Sequence, residues 1–370
     1  MALQAIAAAE FAVDVTRFDS IIDVRSPAEF AEDHLPGAVN WPVLDNEQRR
    51  IVGTLYKQVS ALEARKVGAA MVARNIAAHV ERELRDKPRE WQPLVYCWRG
   101  GQRSGSLGWF LGQIGFRCAQ LNGGYKAWRT LVRTDLLSLP KNYRFHVLCG
   151  RTGSGKTRLL HALADQGAQT IDLEGLAQHR GSVLGSVPGQ AQPSQKRFDT
   201  LLWQALKACD ASQPVFVEGE SRKIGALRVP EALIEQLRDH GQCVRIDLDG
   251  DARLQLLLQE YAHFADDVEG FCKLLEGLVE LRGRDTVKAW QAQSREGRWP
   301  QVFSALMQAH YDPLYERSIR HNYPQLAQGV PLQLRDAEAD TLRDSAQRLL
   351  ATARVTCSPS DRHAAGGPEH

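Results

Sequence analysis

Residues 145–157 read FHVLCGRTGSGKT, in which a mostly apolar stretch leads into the pattern Gly150-x-x-x-x-Gly155-Lys156-Thr157. The apolar residues predict a buried strand, and residues 156–165, which lack helix breakers, predict a helix after the glycines. A strand, a glycine-rich loop and a helix in this order form a P-loop, whose backbone N–H groups surround a phosphate. The stretch therefore predicts an α/β fold with a phosphate site at the end of one strand.

The P-loop gives a role to each of its polar groups. The backbone amides surround a β-phosphate, Lys156 pairs with terminal phosphate oxygens, and the Thr157 hydroxyl can ligate Mg²⁺. No neighbouring residue pattern positions an attacking water, so the loop predicts diphosphate binding and does not by itself indicate ATP hydrolysis. The predicted phosphate-binding residues are Gly150, Gly153, Ser154, Gly155, Lys156 and Thr157.

Three carboxylates end or follow the two strands that are predicted after the P-loop helix. Residues 214–218 predict a buried strand that ends in Glu218, and Glu220 comes two residues later, where many P-loop proteins have a metal-binding acid. Asp172 ends the strand after the P-loop helix, where small-molecule kinases place an acid for substrate or metal. Ordinary solvated strand ends have the same residues, so the sequence leaves a metal, substrate or solvent role open for all three.

A second loop, CWRGGQRS at residues 97–104, follows the short apolar stretch 94–96. Its glycines allow the backbone to curl before a predicted helix, so that N–H groups and the helix N-terminus point at Cys97. Such a field lowers the pKa of a thiol, and Arg99 and Arg103 add positive charge. The alternative is an inert buried cysteine, but arginine, glycine and serine neighbours are unlike an apolar core. The predicted catalytic residues are Cys97, Arg99 and Arg103.

Two further polar segments, 172–182 and 220–225, contain Arg180, Arg222 and Lys223. These cations suit a phosphate or nucleic-acid ligand, although a solvated surface explains the composition equally well. Residues 181–193 are rich in Gly, Pro, Ser and Gln and predict a long loop close to the substrate.

The chain has 370 residues, enough for two domains with separate hydrophobic cores. Strand and helix signals alternate on both sides of a break at residues 138–143. We therefore expect a first α/β domain at 1–138 and a second at 139–355, mostly helical beyond residue 251. The polar residues 356–370 predict a disordered tail.

The composition limits the surfaces that the protein can offer to nucleic acid and the compartment in which we expect it. A net charge of only +2 requires any nucleic-acid surface to be a local patch. No apolar run is long enough to span a bilayer, and residues 1–10 read as a helix start without the basic residues of a secretion signal. The seven cysteines are odd in number and scattered, which disfavours a zinc site or a disulfide framework and favours a reducing cytoplasm.

Residues 10–130 resemble the rhodanese family. The motifs DVR at 23–25, HLPGAVN at 34–40 and LNGGYKAW at 121–128 carry the resemblance. It implies that Cys97 carries a sulfane sulfur or selenium atom. One departure is that five residues separate Cys97 from Arg103, one more than in many rhodanese loops. Cysteine phosphatases and arsenate reductases of similar fold share this longer loop, which has room for a tetrahedral, phosphate-like group.

Further motifs extend the resemblance over nearly the whole chain. Taken in order with the rhodanese motifs, they resemble the tRNA 2-selenouridine synthase family: VGTLYKQ at 52–58, the P-loop, DLEGLAQHRGS at 172–182, EGESRKIG at 218–225 and YDPLY at 311–315. The resemblance implies replacement of sulfur by selenium in the wobble 2-thiouridine of tRNA. It implies selenophosphate and geranyl diphosphate as co-substrates, and it makes an isoprenoid diphosphate a better P-loop ligand than ATP. The partners implied are tRNA and, beyond it, the enzyme that supplies selenophosphate.

Two other functions are compatible with the same residues. An ATP-dependent kinase with a rhodanese regulatory module would transfer a phosphoryl group and would not need Cys97. A sulfur carrier for tRNA thiolation would bear a persulfide on Cys97 and would have no turnover of its own.

Overall fold

The structure, a computed structural model, describes residues 3–182, 184–186 and 189–355. The tail predicted at 356–370 lies outside these residues. Contacts between Cα atoms divide the chain into two units. The first unit comprises Met1–Leu136 and Pro193–Gln204, and the second comprises Leu137–Gln192 and Ala205–His370.

The first unit contains a five-stranded, fully parallel sheet with the strand order β1-β5-β4-β2-β3. Parallel neighbours need crossover connections, and most of these connections contain helices. The strands are β1 (Gln4–Ile6), β2 (Ser20–Asp23), β3 (Ala38–Asn40), β4 (Pro93–Tyr96) and β5 (Ala119–Leu121). The helices are α1 (Ala8–Val13), α2 (Pro27–Glu32), α3 (Asn46–Gln58), α4 (Ala61–Glu83), α5 (Gln102–Ile114) and α6 (Gly124–Asp135).

The core of the first unit surrounds β4, the central strand. Every residue of β4 is buried, as expected for a parallel strand that is covered on both faces. Val95 of β4 and Ile22 of β2 belong to one hydrophobic cluster with Leu107 and Leu111, which lie one turn apart on α5. The loop that follows β4 therefore starts inside the core, and this position determines the environment of Cys97.

The second unit contains another five-stranded parallel sheet, with the order β12-β11-β6-β8-β7, and a two-stranded antiparallel pair, β9 and β10. The P-loop strand β6 is central, and its neighbour β8 pairs Glu218 with Leu148. The strands are β6 (Arg144–Cys149), β7 (Gln169–Ile171), β8 (Pro214–Glu218), β9 (Lys223–Ile224), β10 (Leu227–Arg228), β11 (Gln242–Leu248) and β12 (Val330–Leu334). The helices are α7 (Lys156–Asp165), α8 (Leu173–Ala177), α9 (Gln195–Ala208), α10 (Glu231–Glu235), α11 (Gly250–Glu260), α12 (Val268–Glu276), α13 (Val279–Arg282), α14 (Arg284–Arg295), α15 (Trp299–Leu306), α16 (Asp312–Asn322) and α17 (Ala339–Val355).

Two hydrophobic clusters stabilise the second unit. One joins the sheet to α7 and α17, with Leu148, Leu160 and Ala346 among its buried members. The other joins the C-terminal helices and is largely aromatic, with the rings of Phe264 and Phe271 4.7 Å apart between centroids. The helical region thus has a core of its own beside the P-loop.

The first half of α9 belongs to the first unit by its contacts. Trp203 packs edge-on against Trp128, with the ring centroids 4.8 Å apart, and Thr200 donates a hydrogen bond of 3.0 Å to the buried Asp33. The second domain was predicted to run without a break over 139–355. The contacts assign 193–204 to the other unit because these aromatic and polar groups pack there.

The prediction of two α/β units is confirmed, as is the mostly helical region beyond residue 251, and the structure shows that both five-stranded sheets are parallel. Five strands were not predicted: β1, β3, β9, β10 and β12. β12 lies in the region expected to be helical, and β1 lies in residues expected to start a helix. Both are short edge strands that are formed by pairing with β11 and β5, and so local sequence gives little sign of them. Within the described residues, no helix has the length and apolar character that a membrane crossing requires.

Candidate functional site

Cys97 follows β4 directly, and only 4% of its surface is exposed. Ser104 on α5 donates a hydrogen bond from its hydroxyl to Cys97 Sγ over 3.3 Å. Gln120 on β5 donates in turn from Nε2 to Ser104 Oγ over 2.7 Å. The serine proton has two acceptors within reach, Cys97 Sγ and the Gly101 carbonyl at 3.4 Å, and the contact to oxygen is long for a hydrogen bond. The role of Ser104 was not predicted, although this residue lies in the loop 97–104, and the role of Gln120 was not predicted because it depends on a contact with β5, 16 residues away.

The surroundings of Cys97 favour the thiolate. Burial by itself would raise the pKa of this thiol, because it disfavours a charge. The hydroxyl and amide of Ser104, together with the charge of Arg103 and the amide of Arg99, outweigh burial and lower the pKa of Cys97. By contrast, burial alone raises the pKa of Cys118, in the same unit, to about 12. Cys97 is therefore much better prepared than Cys118 to act as a nucleophile.

The two arginines predicted beside Cys97 have different environments. Arg103 is held by Glu29, with 2.9 Å between Nη1 and Oε2, and both side chains are mostly buried. Arg99 is exposed and acts on the thiol through its backbone N–H. Arg103 is thus a fixed charge beside the thiol, whereas the Arg99 side chain faces solvent.

The Cys97 loop rests on the N-terminus of α6. The N–H groups of Tyr125 and Lys126 donate to the carbonyls of Cys97 and Trp98 over 2.8 and 2.9 Å. Gly124 has a φ of +56°, and a Cβ at this position would lie 2.3 Å from the Cys97 oxygen. Any other residue at Gly124 would therefore displace the loop or strain the backbone.

The P-loop joins β6 to α7 at the centre of the second sheet. Gly153 has a φ of +76°, and a Cβ there would lie 2.9 Å from the Leu257 side chain. Lys156 folds back over the loop and donates from Nζ to the carbonyl of Gly150 over 3.1 Å. Ser154 Oγ is buried and has no hydrogen-bond partner among the described residues. Backbone amides, a lysine and an unpartnered hydroxyl together form an anion site.

Three glutamates lie beside the P-loop. Thr157 donates a hydrogen bond from Oγ1 to Oε1 of Glu218, and the same hydroxyl lies 3.5 Å from Oε2 of Glu174. The second oxygen of Glu218, Oε2, is buried and unpartnered within the described part of the chain. Glu220 follows Glu218 after one glycine and interacts with Glu174.

The surroundings of these carboxylates favour their protonated forms. Burial, and then the charge of Glu220, raises the pKa of Glu218 to about 8. Burial and the charges of both other glutamates raise the pKa of Glu174 well above its ordinary range. Burial also raises the pKa of Glu220, although Lys156 opposes that effect. A cation that binds here would displace these protons.

The oxygen atoms fit Mg²⁺ only in combination with a bound phosphate. Thr157 Oγ1 and Glu218 Oε2 are hard donors of the type that Mg²⁺ prefers, and Mg²⁺ usually takes its other ligands from water and phosphate. Within the described ranges, no group of three or more His, Cys, Asp or Glu side chains could hold a metal ion. We therefore name Thr157 and Glu218 as the residues that would hold the cation.

A pocket of 590 Å³ opens at the P-loop and is lined in part by tyrosines of the C-terminal region. Of the residues predicted from sequence, those that line it are Gly150, Gly153, Ser154, Gly155, Lys156, Thr157, Arg180 and Glu220. Glu218 contacts the site through Thr157. Asp172 does not line the pocket: it caps α8 by accepting from the Gly175 N–H and pairs with His161.

The other predicted cations differ in position. Arg180 lines the pocket, donates to the Glu260 carbonyl over 2.7 Å and lies over the Tyr261 ring at 5.2 Å. Arg222 is exposed and pairs with Glu231 at 3.3 Å, and neither Arg222 nor Lys223 lines the pocket. The structure therefore brings one of the three cations to the phosphate site.

Arg253, which sequence reasoning missed, supports the P-loop from behind. It is 4% exposed, donates to the Thr152 carbonyl over 2.8 Å and forms a two-pronged ion pair with Asp312 at 2.6 and 3.0 Å. Asp312 belongs to the motif YDPLY, for which the sequence left a choice between packing and stacking on a base. Asp312 anchors the P-loop, Tyr311 is buried, and Tyr315 lines the pocket.

Comparison with known families separates the same two parts. Residues 7–131 match the rhodanese-like domain family, and residues 143–274 match the tRNA 2-selenouridine synthase AAA domain family. A tRNA 2-selenouridine synthase of Hydrogenovibrio crunogenus is 32% identical over 324 residues, which cover 80% of this chain and 88% of that protein. The chain belongs to the tRNA 2-selenouridine synthase family.

Other members of the family align over shorter stretches. The synthase of Alcanivorax borkumensis is 37% identical over 65% of this chain and 66% of its own length, and that of Nitrosomonas europaea is 36% identical over 65% and 63%. The matched region thus spans just under two thirds of each of these two relatives.

Two solved structures are similar to part of the chain. The N-terminal domain of a putative ATP/GTP binding protein from Clostridium difficile 630 is 34% identical, with a TM-score of 0.31, and covers 35% of this chain and 98% of that domain. A rhodanese-related protein from Thermoplasma volcanium is 18% identical, with a TM-score of 0.23, over 35% of this chain and 92% of its own.

Proposed function

We propose that this protein is a transferase that replaces sulfur by selenium in the wobble 2-thiouridine of tRNA. Membership of the tRNA 2-selenouridine synthase family supports the overall reaction. The observation that carries the proposal is that one chain contains both a thiol with a lowered pKa and a P-loop that opens into a pocket. Because the proposed substrate is tRNA, we expect this activity in the cytoplasm.

The two loops suit two successive reactions on one nucleoside. A thiocarbonyl sulfur is a poor leaving group, so direct exchange for selenium is slow. Alkylation converts it into an S-alkyl isothiourea, in which C2 is electrophilic and a thiolate can leave. We therefore assign alkylation by geranyl diphosphate to the P-loop unit and selenium transfer to the Cys97 unit.

In the alkylation, the sulfur of 2-thiouridine attacks C1 of geranyl diphosphate. The carbon–oxygen bond to diphosphate breaks, and the nucleoside loses its N3 proton. The leaving diphosphate gathers negative charge, which Lys156 and the P-loop amides are positioned to stabilise. When Mg²⁺ is bound, it supplies further neutralisation of this charge.

In the selenium step, the Cys97 thiolate attacks the phosphorus of selenophosphate, the P–Se bond breaks, and selenium leaves as HSe⁻. The HSe⁻ ion attacks C2 and expels geranylthiolate, and its proton returns to N3 to give selenouridine. Water then hydrolyses the phosphocysteine and releases phosphate, which restores the Cys97 thiol. The Arg103 charge and the loop amides favour both anionic selenophosphate and the thiolate.

The test is the nucleoside content of 2-thiouridine tRNA that is incubated with geranyl diphosphate, selenophosphate and each purified variant. Lys156→Ala should abolish geranylation, because it removes the cation that meets the diphosphate. Cys97→Ser should stop selenouridine formation and leave geranylated tRNA. Mass spectrometry of the nucleosides measures both products, and normal geranylation by Lys156→Ala would refute the role given to the P-loop.

The same assay distinguishes the two other functions. When ATP is added to these mixtures, a kinase would consume it and would be indifferent to Cys97→Ser. A sulfur carrier would bear a persulfide on Cys97 and would form no modified nucleoside on its own.

A further inference from the structure

A second cavity, of 1130 Å³, lies entirely in the first unit and is distinct from the P-loop pocket. Residues of α3, α4 and α5 line it, together with Leu44 and Arg99. We refer to it as the α3–α5 groove. Binding sites for drug-sized molecules usually have volumes of about 300–1,000 Å³, so this groove has room for a ligand larger than a single nucleobase.

Small residues open the groove. On α4, the lining positions Ala64, Gly68 and Val72 recur every four residues, which places them on one face of the helix. On α5, the lining residue Gly105 lies one turn before Trp109, on the same face of the helix. Larger side chains at the small positions would fill the space.

The walls of the groove are apolar and aromatic. Trp109 is 56% exposed and Tyr56 is 60% exposed, although side chains of this size usually gain most from burial. Phe110 packs edge-on against Trp109, with the ring centroids 5.2 Å apart, and Val52 and Val72 complete the apolar lining. Such an exposed patch around a concavity is typical of a surface that binds an apolar group.

The charge of the groove is of one sign. Its charged lining residues are Arg65, Arg99 and Arg103, and no carboxylate is among them. Within the described residues, Arg65 and Arg99 make no ion pair, and both are exposed. The groove therefore combines an apolar wall with cations that suit phosphates.

The groove adjoins the Cys97 loop. Arg99 belongs to that loop, and Gln102 and Arg103 open the helix that follows it, within six residues of Cys97. A ligand in the groove is thus held next to the segment that carries the nucleophile.

We propose that the α3–α5 groove binds the S-alkylated wobble nucleotide of the RNA, with its prenyl chain on Trp109 and Tyr56 and its phosphates near Arg65 and Arg99. This inference rests on the proposed function and adds the site that holds the S-alkylated nucleotide before selenium is transferred to it. An apolar chain attached to a nucleotide is the chemistry that matches both the wall and the cations.

The test measures binding without turnover, using the full-length protein and two anticodon stem-loop RNAs. One RNA carries S-geranyl-2-thiouridine at the wobble position, and the other carries S-methyl-2-thiouridine. Each buried methylene changes affinity about fourfold, so a loss of contacts equal to two methylene groups amounts to roughly 15-fold. The wild type should bind the geranylated RNA at least tenfold more tightly, and Trp109→Ala should remove most of this preference and leave S-methyl binding unchanged.

Matched variants keep the result interpretable. Trp109→Phe should retain most of the preference, and Ile114→Ala, which changes another exposed apolar residue of α5 outside the groove, should retain all of it. Equal weakening of both RNAs by Trp109→Ala would mean that the groove holds a base and would overturn the proposal. So would the absence of a preference in the wild type, or competition by free geranyl diphosphate that depends on Trp109.

The proposed function can fail separately from this inference. If Trp109→Ala removes the preference of the wild type for the geranylated RNA but the wild type never forms selenouridine, the groove assignment stands and the reaction is wrong. If selenouridine forms and Trp109→Ala changes neither binding nor rate, the reaction stands and the groove assignment is wrong.

Discussion

The replacement Ser104→Ala should weaken the nucleophile without moving it. The hydroxyl of Ser104 donates to Cys97 Sγ over 3.3 Å, and both residues are buried, so water cannot take its place. A hydrogen bond to a charged group contributes about 1.5–3 kcal/mol. Sulfur is a weaker acceptor than oxygen, so we use the lower end of this range. Since 1.36 kcal/mol corresponds to a factor of ten, the thiolate fraction at a pH below the pKa of Cys97 should fall about tenfold.

The assay is the rate of Cys97 alkylation by iodoacetamide between pH 5 and 9, with the modified residue identified by peptide mass spectrometry. The variant should react about tenfold more slowly at the lower pH values and should approach the wild type above the pKa of the variant thiol. Ser106→Ala is the matched control, because its hydroxyl donates to the Gln102 carbonyl on the same helix. Unchanged reactivity of Ser104→Ala across the whole pH range would refute the hydrogen-bond explanation and leave the loop amides and Arg103 as the cause.

Two further predictions concern the P-loop unit. Arg253→Ala removes the donor to the Thr152 carbonyl and leaves Asp312 without the partner of its ion pair. Titration calorimetry should therefore show that pyrophosphate binds at least tenfold more weakly, which is a loss of about 1.4 kcal/mol. Unaltered affinity would show that the P-loop does not need this support. Glu218→Gln should change the pH dependence of thermal stability. Because the pKa of Glu218 is raised to about 8, its contribution is present at acid pH and is lost as the pH rises towards 8. The variant should therefore gain melting temperature relative to the wild type between pH 5 and pH 8.5, and parallel melting curves would contradict the raised pKa.

The two loops could be predicted from sequence because their geometry is encoded locally. A strand, a short run of glycines and a helix follow one another in each, and the reactive groups of Cys97 and Lys156 lie within that run. The backbone therefore determines the site before any long-range packing is considered. The same reasoning predicted two α/β units, which the sheets confirm.

The groups that tune these loops could not be predicted in this way. Gln120 contacts Ser104 across 16 residues, and Arg253 contacts Thr152 across 101 residues. In each pair, the sequence around one partner gives no sign of the other, because strand order and helix packing bring them together. Arg222, by contrast, lies in a polar segment that the sequence analysis selected as a binding candidate, but its charge is paired on the surface with Glu231.

The contact between the Cys97 loop and α6 sets a limit on how the nucleophile can be moved into another protein. The carbonyls of Cys97 and Trp98 are capped by amides that lie about thirty residues later, and Gly124 leaves the space that this arrangement requires. A graft of the eight loop residues alone would carry these carbonyls into a host that has no donors for them, and buried carbonyls without partners are costly. The shortest segment that would keep the environment of Cys97 in another protein therefore runs from β4 through the first turn of α6, and a graft must include both elements.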